Sequence, residues 1–76
     1  MRELVEFIAR SLVENPDEVR VSEMDRGGST LLELRVARGD FGKVIGREGR
    51  TARAIRTVLS AASAKSHHRY VLDIVD

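Results

Sequence analysis

The stretch GKVIGREGRTARAIR, residues 42–56, places Gly46 and Gly49 three positions apart, between an apolar Val-Ile pair and an arginine-rich segment. Glycine weakens a helix interior by about 0.5–1 kcal/mol relative to alanine, so a close pair of glycines marks a break or a close approach. The segment 49–66 that follows is rich in alanine and carries apolar residues at helical spacing. We therefore predict that the glycines separate a short helix from a long one.

Apolar periodicity predicts the elements on either side of this pair. The first residues carry an apolar stripe at helical spacing, which Asn15-Pro16 ends, and two alternating segments then flank a turn at Gly27-Gly28. A third alternating segment follows the long helix. The predicted order is helix 2–15, strand 17–25, strand 30–37, short helix 41–45, long helix 49–66 and strand 67–76.

This order predicts an α+β fold. The first two strands form an antiparallel hairpin, and two helices return the chain to a third strand that runs parallel to one of them by a right-handed crossover. We expect one domain over residues 1–76, with a three-stranded mixed sheet covered on one face by three helices. Asp40 is predicted to cap the short helix. The buried face of the long helix is predicted to carry Ile55, Val58, Leu59 and Ala62.

Composition limits the classes of function. The chain has no cysteine, which excludes disulfides and thiolate metal sites, and no apolar run approaches the ~18 residues of a membrane span. Glu3 and Glu6 interrupt the apolar N-terminal stretch, which argues against a signal peptide. We therefore expect a cytoplasmic protein that does not associate with membranes.

Positive charge is concentrated around the glycine pair. The first forty residues hold six basic and nine acidic residues, whereas the remainder holds seven basic and three acidic ones. Five of those basic residues lie between Lys43 and Arg56, against the single acid Glu48. Salt screens charges beyond roughly 8 Å, so a local basic patch can bind phosphate although the net charge is only +1.

The glycine pair suits phosphate binding. A helix N-terminus offers unpaired N–H groups and the positive end of the dipole, and glycines let a sugar-phosphate backbone lie against the peptide planes. Arg47 and Arg50 can pair with phosphates, and Lys43 adds a third charge. The simpler interpretation makes one glycine a helix cap and the arginines a solvated face. The cations on both sides of the loop favour phosphate binding.

The segment VIGREGRTARAIR resembles the signature of the KH domain, and the predicted element order is similar to that of the type II KH fold. Together with the N-terminal ELVEFIARSLVENPDEV and the final strand, it resembles the small stand-alone bacterial KH proteins of the KhpA family. That resemblance implies single-stranded RNA binding without enzymatic activity, as a post-transcriptional regulator or RNA chaperone linked to cell elongation and division. It also implies a homodimer, or a complex with a larger Jag-type KH protein (KhpB-like).

On this resemblance the loop residues and the apolar residue before them contact RNA, joined by the neighbouring cations. The predicted RNA-binding residues are Lys43, Ile45, Gly46, Arg47, Glu48, Gly49, Arg50 and Arg53. Glu48 is a departure, because a basic residue often stands in the middle of such loops, and its charge partly offsets Arg47. An apolar groove beside the loop, floored by Ile45 and a strand edge, is expected to take unstacked bases.

The remaining sequence patterns either leave alternative functions open or predict no metal or catalytic site. Single-stranded DNA stays open as a ligand, as does a protein-interaction module in which RNA contact is secondary. The alanines of the long helix fit either a docking surface or an exposed helical face. The adjacent His67 and His68 would point to opposite faces of a strand, and no P-loop or paired nucleophile and base is present. We expect no metal, cofactor or catalytic residue.

Overall fold

The computed structural model describes residues 1–75 and confirms the predicted α+β fold. Three short 3-10 turns join the elements, at Pro16–Glu18, Arg38–Asp40 and Arg47–Gly49. The helices and strands are α1 (Arg2–Leu12), β1 (Arg20–Asp25), β2 (Ser29–Arg35), α2 (Phe41–Ile45), α3 (Arg50–Ser66) and β3 (Arg69–Val75).

The sheet is mixed, in the order β1-β2-β3. Strands β1 and β2 form the predicted antiparallel hairpin, with Met24 opposite Leu31, and β3 lies parallel to β2, with Leu31 opposite Val71. Strand β3 is therefore an edge strand beside α3, the position that the predicted crossover requires.

The core lies between the sheet and its three helices. Leu32 and Leu34 of the central strand are fully buried, as are Val5 of α1 and Val44 of α2. The period-2 alternation of β2 directs these leucines to the helical layer, while Leu31 and Glu33 point to the uncovered face. The inner face of the sheet thus positions all three helices.

The prediction for the buried face of α3 was only partly correct. Ile55 and Leu59 are buried together with Ala52, but Val58 is 45% exposed and Ala62 is half-buried. A residue three positions after Ile55 is rotated about 60° back from it around the helix, beyond the strip that the sheet covers. Val58 therefore lies on the outer flank of α3.

The predicted cap at Asp40 is correct in position only, because Asp40 is the N-cap residue of α2 but its side chain does not cap the helix. Its carboxylate makes no capping hydrogen bond to α2 and instead accepts hydrogen bonds from the backbone N–H groups of Glu14 and Asn15, at 3.2 and 3.0 Å, and from the Asn15 side chain at 3.0 Å. Burial by itself raises the pKa of Asp40, but these donors, together with Lys43, outweigh it and hold the pKa below its ordinary value. Asp40 thereby ties the end of α1 to the start of α2. Within residues 1–75, no helix is both long and apolar enough to cross a membrane.

Candidate nucleic-acid interface

The loop between α2 and α3 has an unusual backbone. Positive φ angles occur at Gly46 (79°), Glu48 (57°) and Gly49 (76°), so three of the four residues from 46 to 49 leave the right-handed region. The N–H of Gly46 donates to the carbonyl of Gly42 at 2.8 Å, and the N–H of Gly49 donates to the carbonyl of Gly46 at 3.1 Å. The loop is thus a defined turn that begins where α2 ends and finishes at the first residue of α3.

Gly46 and Gly49 are required for different reasons. A Cβ on Gly46 would lie 2.8 Å from the backbone nitrogen of Thr51 and would also overlap the Thr51 side chain. A Cβ on Gly49 would meet nothing within 4 Å, so only the positive φ favours glycine there. Gly46 therefore brings the loop against the first turn of α3, and Gly49 turns the chain into that helix.

Four cations surround this loop, in different environments. Arg47 is exposed, and in the described part of the chain no hydrogen bond or ion pair holds its guanidinium. Arg50 and Arg53 both reach back to Glu48: Arg50 Nη2 lies 3.9 Å from its carboxylate, and Arg53 Nη2 donates to its carbonyl at 3.3 Å. Lys43 Nζ lies 3.9 Å from Glu14. The structure therefore brings the predicted cations to one end of the molecule, with Arg47 the least constrained.

Glu48 contacts two of these cations, Arg50 and Arg53. Its side chain and that of Arg50 are both more than 70% exposed, so their ion pair is weak and readily exchanged for a phosphate. The left-handed backbone of Glu48 places its carbonyl within reach of Arg53. Glu48 thus competes with an incoming anion for Arg50 while its backbone orients Arg53.

A groove of about 250 Å³ lies between α3 and β3. Ile45, predicted to form its floor, is half-buried at the end of α2 and is not among the lining residues. The strand edge in that prediction is present, because β3 forms one wall and α3 the other. The lining residues are Arg56, Leu59, Ser60, Ser63, Arg69, Tyr70, Val71 and Leu72.

Side chains of α3 hold the free edge of β3. Arg56 donates from Nε and Nη2 to the carbonyl of Leu72, at 3.4 and 3.3 Å, and the hydroxyl of Ser63 accepts the N–H of Tyr70 at 2.9 Å. These contacts join residues up to sixteen positions apart, so the sequence carried no local signal for them. In the sequence, the only indication of these contacts is an arginine, Arg56, at the turn of α3 that faces the edge strand β3.

Other polar clusters lie away from this end. The hydroxyl of buried Thr30 is 2.7 Å from Nε2 of His68 and 3.0 Å from a carboxylate oxygen of Asp25, which accounts for the half-buried imidazole. Among residues 1–75, no three His, Asp or Glu side chains are grouped so that they could hold a metal ion.

Comparison with known proteins identifies the family. The family model described as KhpA/KhpB, KH domain, matches residues 2–74. The chain belongs to this KH-domain family. A protein of Halalkalibacterium halodurans is 55% identical over all of both chains, and one of Borreliella burgdorferi is 54% identical over 97% of this chain and 90% of its own. A protein of Clostridium acetobutylicum is 55% identical over 99% of this chain and its full length. Each of the three is called RNA-binding protein KhpA.

The fold and the family agree, since the element order of the structure is that of a type II KH domain. The residues from Gly46 to Gly49 lie between its two consecutive helices, α2 and α3. No solved structure matches the chain significantly.

Proposed function

We propose that this KH domain binds single-stranded RNA through the loop of residues 46–49, in the cytoplasm, as a post-transcriptional regulator or RNA chaperone. One observation carries the proposal: a glycine loop with three positive φ angles opens the longest helix, and four cations surround it. The names of the relatives, which describe RNA-binding proteins, support the same class of ligand. The proposed role is binding, with no catalysed reaction.

The geometry suggests how a strand would lie. Its phosphates would meet the first turn of α3, where backbone N–H groups and the helix dipole attract anions, and Arg47 would pair with them first because nothing else holds it. Its bases would point into the groove between α3 and β3. A duplex hides the faces and edges of its bases, so this arrangement favours single strands.

The test replaces the two middle residues of the loop, with Arg47→Asp and Glu48→Asp in one protein. Arg47→Asp reverses the charge where the phosphates would lie, and Glu48→Asp keeps the negative charge while Asp tolerates the left-handed backbone at position 48. We expect RNA affinity, measured by fluorescence anisotropy with a fluorescent oligonucleotide, to fall at least about tenfold, since one charge reversal is worth over 1 kcal/mol. For the native protein, log Kd against log salt should change by about 0.7 per phosphate contacted.

A matched control carries Arg26→Asp and Glu23→Asp. Glu23 lies in β1 and Arg26 in the β1–β2 turn, and that turn contacts Arg69, the first residue of β3, at the end of α3 opposite the loop. The control's charge reversal, at Arg26, thus lies at the far end of α3, a helix whose 17 residues span about 25 Å. Equal RNA affinity of the loop variant and the native protein, with both folded by circular dichroism, would refute the proposal.

A second role, self-association, is favoured by one observation. Val58 is 45% exposed on α3, and its exposed neighbours Ala54 and Ala61 permit close approach of another surface. We propose that a second copy packs on this flank, which would present two loops to one RNA and raise its affinity. The same flank would serve a Jag-type KH partner.

Size-exclusion chromatography with light scattering tests this association. We expect a concentration-dependent dimer that Val58→Asp abolishes, whereas Ser60→Asp, at an exposed position about 160° around the helix from Val58, leaves it intact. A native protein that is monomeric up to about 100 μM, corresponding to less than roughly 5.5 kcal/mol of association, would contradict it.

A further inference from the structure

Arg56 is held at one side of the groove with part of its hydrogen-bonding capacity unused. A guanidinium carries five N–H donors, and here Nε and Nη2 both donate to the carbonyl of Leu72. That contact uses the edge of the guanidinium formed by Nε and Nη2. Its end, formed by Nη1 and the second hydrogen of Nη2, has no other partner in the described chain.

The fixed side contact orients the free end. An arginine tied to a backbone carbonyl loses much of its rotamer freedom before any ligand arrives, so little further entropy is lost on binding. Arg56 lines the groove, and the free donors of its planar end form a pair that matches two acceptors lying side by side.

The surroundings of Arg56 combine an apolar surface with polar groups. Leu59 and Leu72 are almost completely buried and line the groove, and the half-buried ring of Tyr70 adds an apolar surface. The Tyr70 ring is the part of this surface that is exposed enough to pack against the flat face of a nucleobase, and the hydroxyls of Ser60 and Ser63 lie beside it as polar partners for the edge of that base. Arg56 lies six residues beyond Arg50, about 9 Å along the helix, so a strand bound at the loop would reach it.

We propose that Arg56 is a specificity-determining residue that selects a base with two adjacent hydrogen-bond acceptors; this inference rests on the proposed RNA-binding function. Guanine offers O6 and N7 side by side, and cytosine offers O2 and N3. Adenine places an amino donor beside N7, and uracil places an N–H donor between its two carbonyls. The two N–H donors at the end of Arg56 therefore pair with the two acceptors of guanine or cytosine. On adenine or uracil, one of these donors would face another donor instead of an acceptor.

The experiment measures Kd by fluorescence anisotropy for oligouridine carrying a single guanine, cytosine or adenine, moved through each position in turn. At one position we expect guanine or cytosine to bind about tenfold more tightly than adenine or uracil, the discrimination typical of a bidentate pair. Loss of the guanine preference with 7-deazaguanine, which lacks the N7 acceptor, would assign recognition to O6 and N7. A preference for cytosine alone would assign it to O2 and N3.

Arg56→Lys keeps the charge and removes the paired donors, so the discrimination should fall below about threefold. The matched control is Arg10→Lys on α1, whose exposed side chain reaches Glu6, far from β3. The 7-deazaguanine and base-scan measurements use the native protein and stay informative if Arg56→Lys does not fold. Equal affinity for all four bases, or a preference that persists in folded Arg56→Lys, would overturn the inference while RNA binding stands. No binding to any oligonucleotide would overturn the proposed function as well.

Discussion

Replacing Gly46 by alanine should destabilise the protein strongly. Its backbone, at φ 79° and ψ 171°, lies in a region that is almost exclusive to glycine, and forcing another residue there costs about 1–3 kcal/mol. The added Cβ would lie 2.8 Å from the backbone nitrogen of Thr51, so the first turn of α3 must move, which adds about 1–3 kcal/mol. The two costs add to about 2–6 kcal/mol, and because the loop and the first turn of α3 can shift together to relieve both, we expect a loss of about 3 kcal/mol. The total free energy of unfolding for a chain of 76 residues is about 4–11 kcal/mol.

Thermal unfolding followed by circular dichroism measures this loss. At about 4–8 °C per kcal/mol for a domain of this size, the melting temperature of Gly46→Ala should fall by about 12–24 °C. The matched control is Gly42→Ala, because Gly42 lies in α2, has no positive φ, and its Cβ would meet nothing within 4 Å. The control should melt at the native temperature or slightly above it, since alanine is the better helix former. A Gly46→Ala protein that melts within about 2 °C of the native protein would refute the argument about this close approach.

Two further predictions concern acids that the structure places in unexpected roles. In Glu48→Asn, asparagine tolerates the left-handed backbone and Arg50 loses its carboxylate partner. RNA should then bind about fivefold more tightly, because one like charge about 4 Å from a phosphate costs roughly 1 kcal/mol in water. Glu23→Gln, on β1, is the control, and equal or weaker RNA binding by Glu48→Asn would contradict competition between Glu48 and phosphate for Arg50. Since the pKa of Asp40 is lowered by folding, its contribution to stability is present above the unfolded-state value of about 4 and is lost as the pH falls through the lower folded value. Asp40→Asn should lower the melting temperature at pH 7. Between pH 5 and 3 the melting temperature of this variant should fall less steeply than that of the native protein, and an equally steep fall in the two proteins would exclude a stabilising role for the Asp40 carboxylate.

The sequence was sufficient for the elements whose signals are local. The turn at Gly27-Gly28 joins β1 and β2 as predicted, because two glycines between alternating segments leave few other structures. The predicted helix over residues 49–66 differs from α3 by one residue, since alanine content and apolar spacing both favour it. The first helix ends at Leu12 instead of residue 15. Beyond that end, the backbone N–H of Asn15 donates to the carboxylate of Asp40, a residue 25 positions along the chain that no local pattern connects with it.

The candidate site divides in the same way. Lys43, Arg47, Arg50 and Arg53 were predicted together because they are neighbours in the sequence, and the structure places them around one loop. Whether they contact RNA stays a prediction. The groove was predicted only in outline, with Ile45 as its floor, whereas its walls come from α3 and β3. Arg56 was missed because its partner, the Leu72 carbonyl, lies on an edge strand that only the crossover brings near.

The sequence by itself determined the order of the elements, the break at Gly46 and Gly49 and the concentration of positive charge beside it. Each of these depends on backbone preference, side-chain periodicity or composition, which act over a few residues. Only the tertiary structure decided that Val58 is exposed, that Asp40 joins α1 to α2, and that Arg56 occupies the edge of β3. These outcomes depend on which surfaces meet after the chain has crossed over the sheet, and burial and hydrogen bonding between distant segments are settled only by that packing.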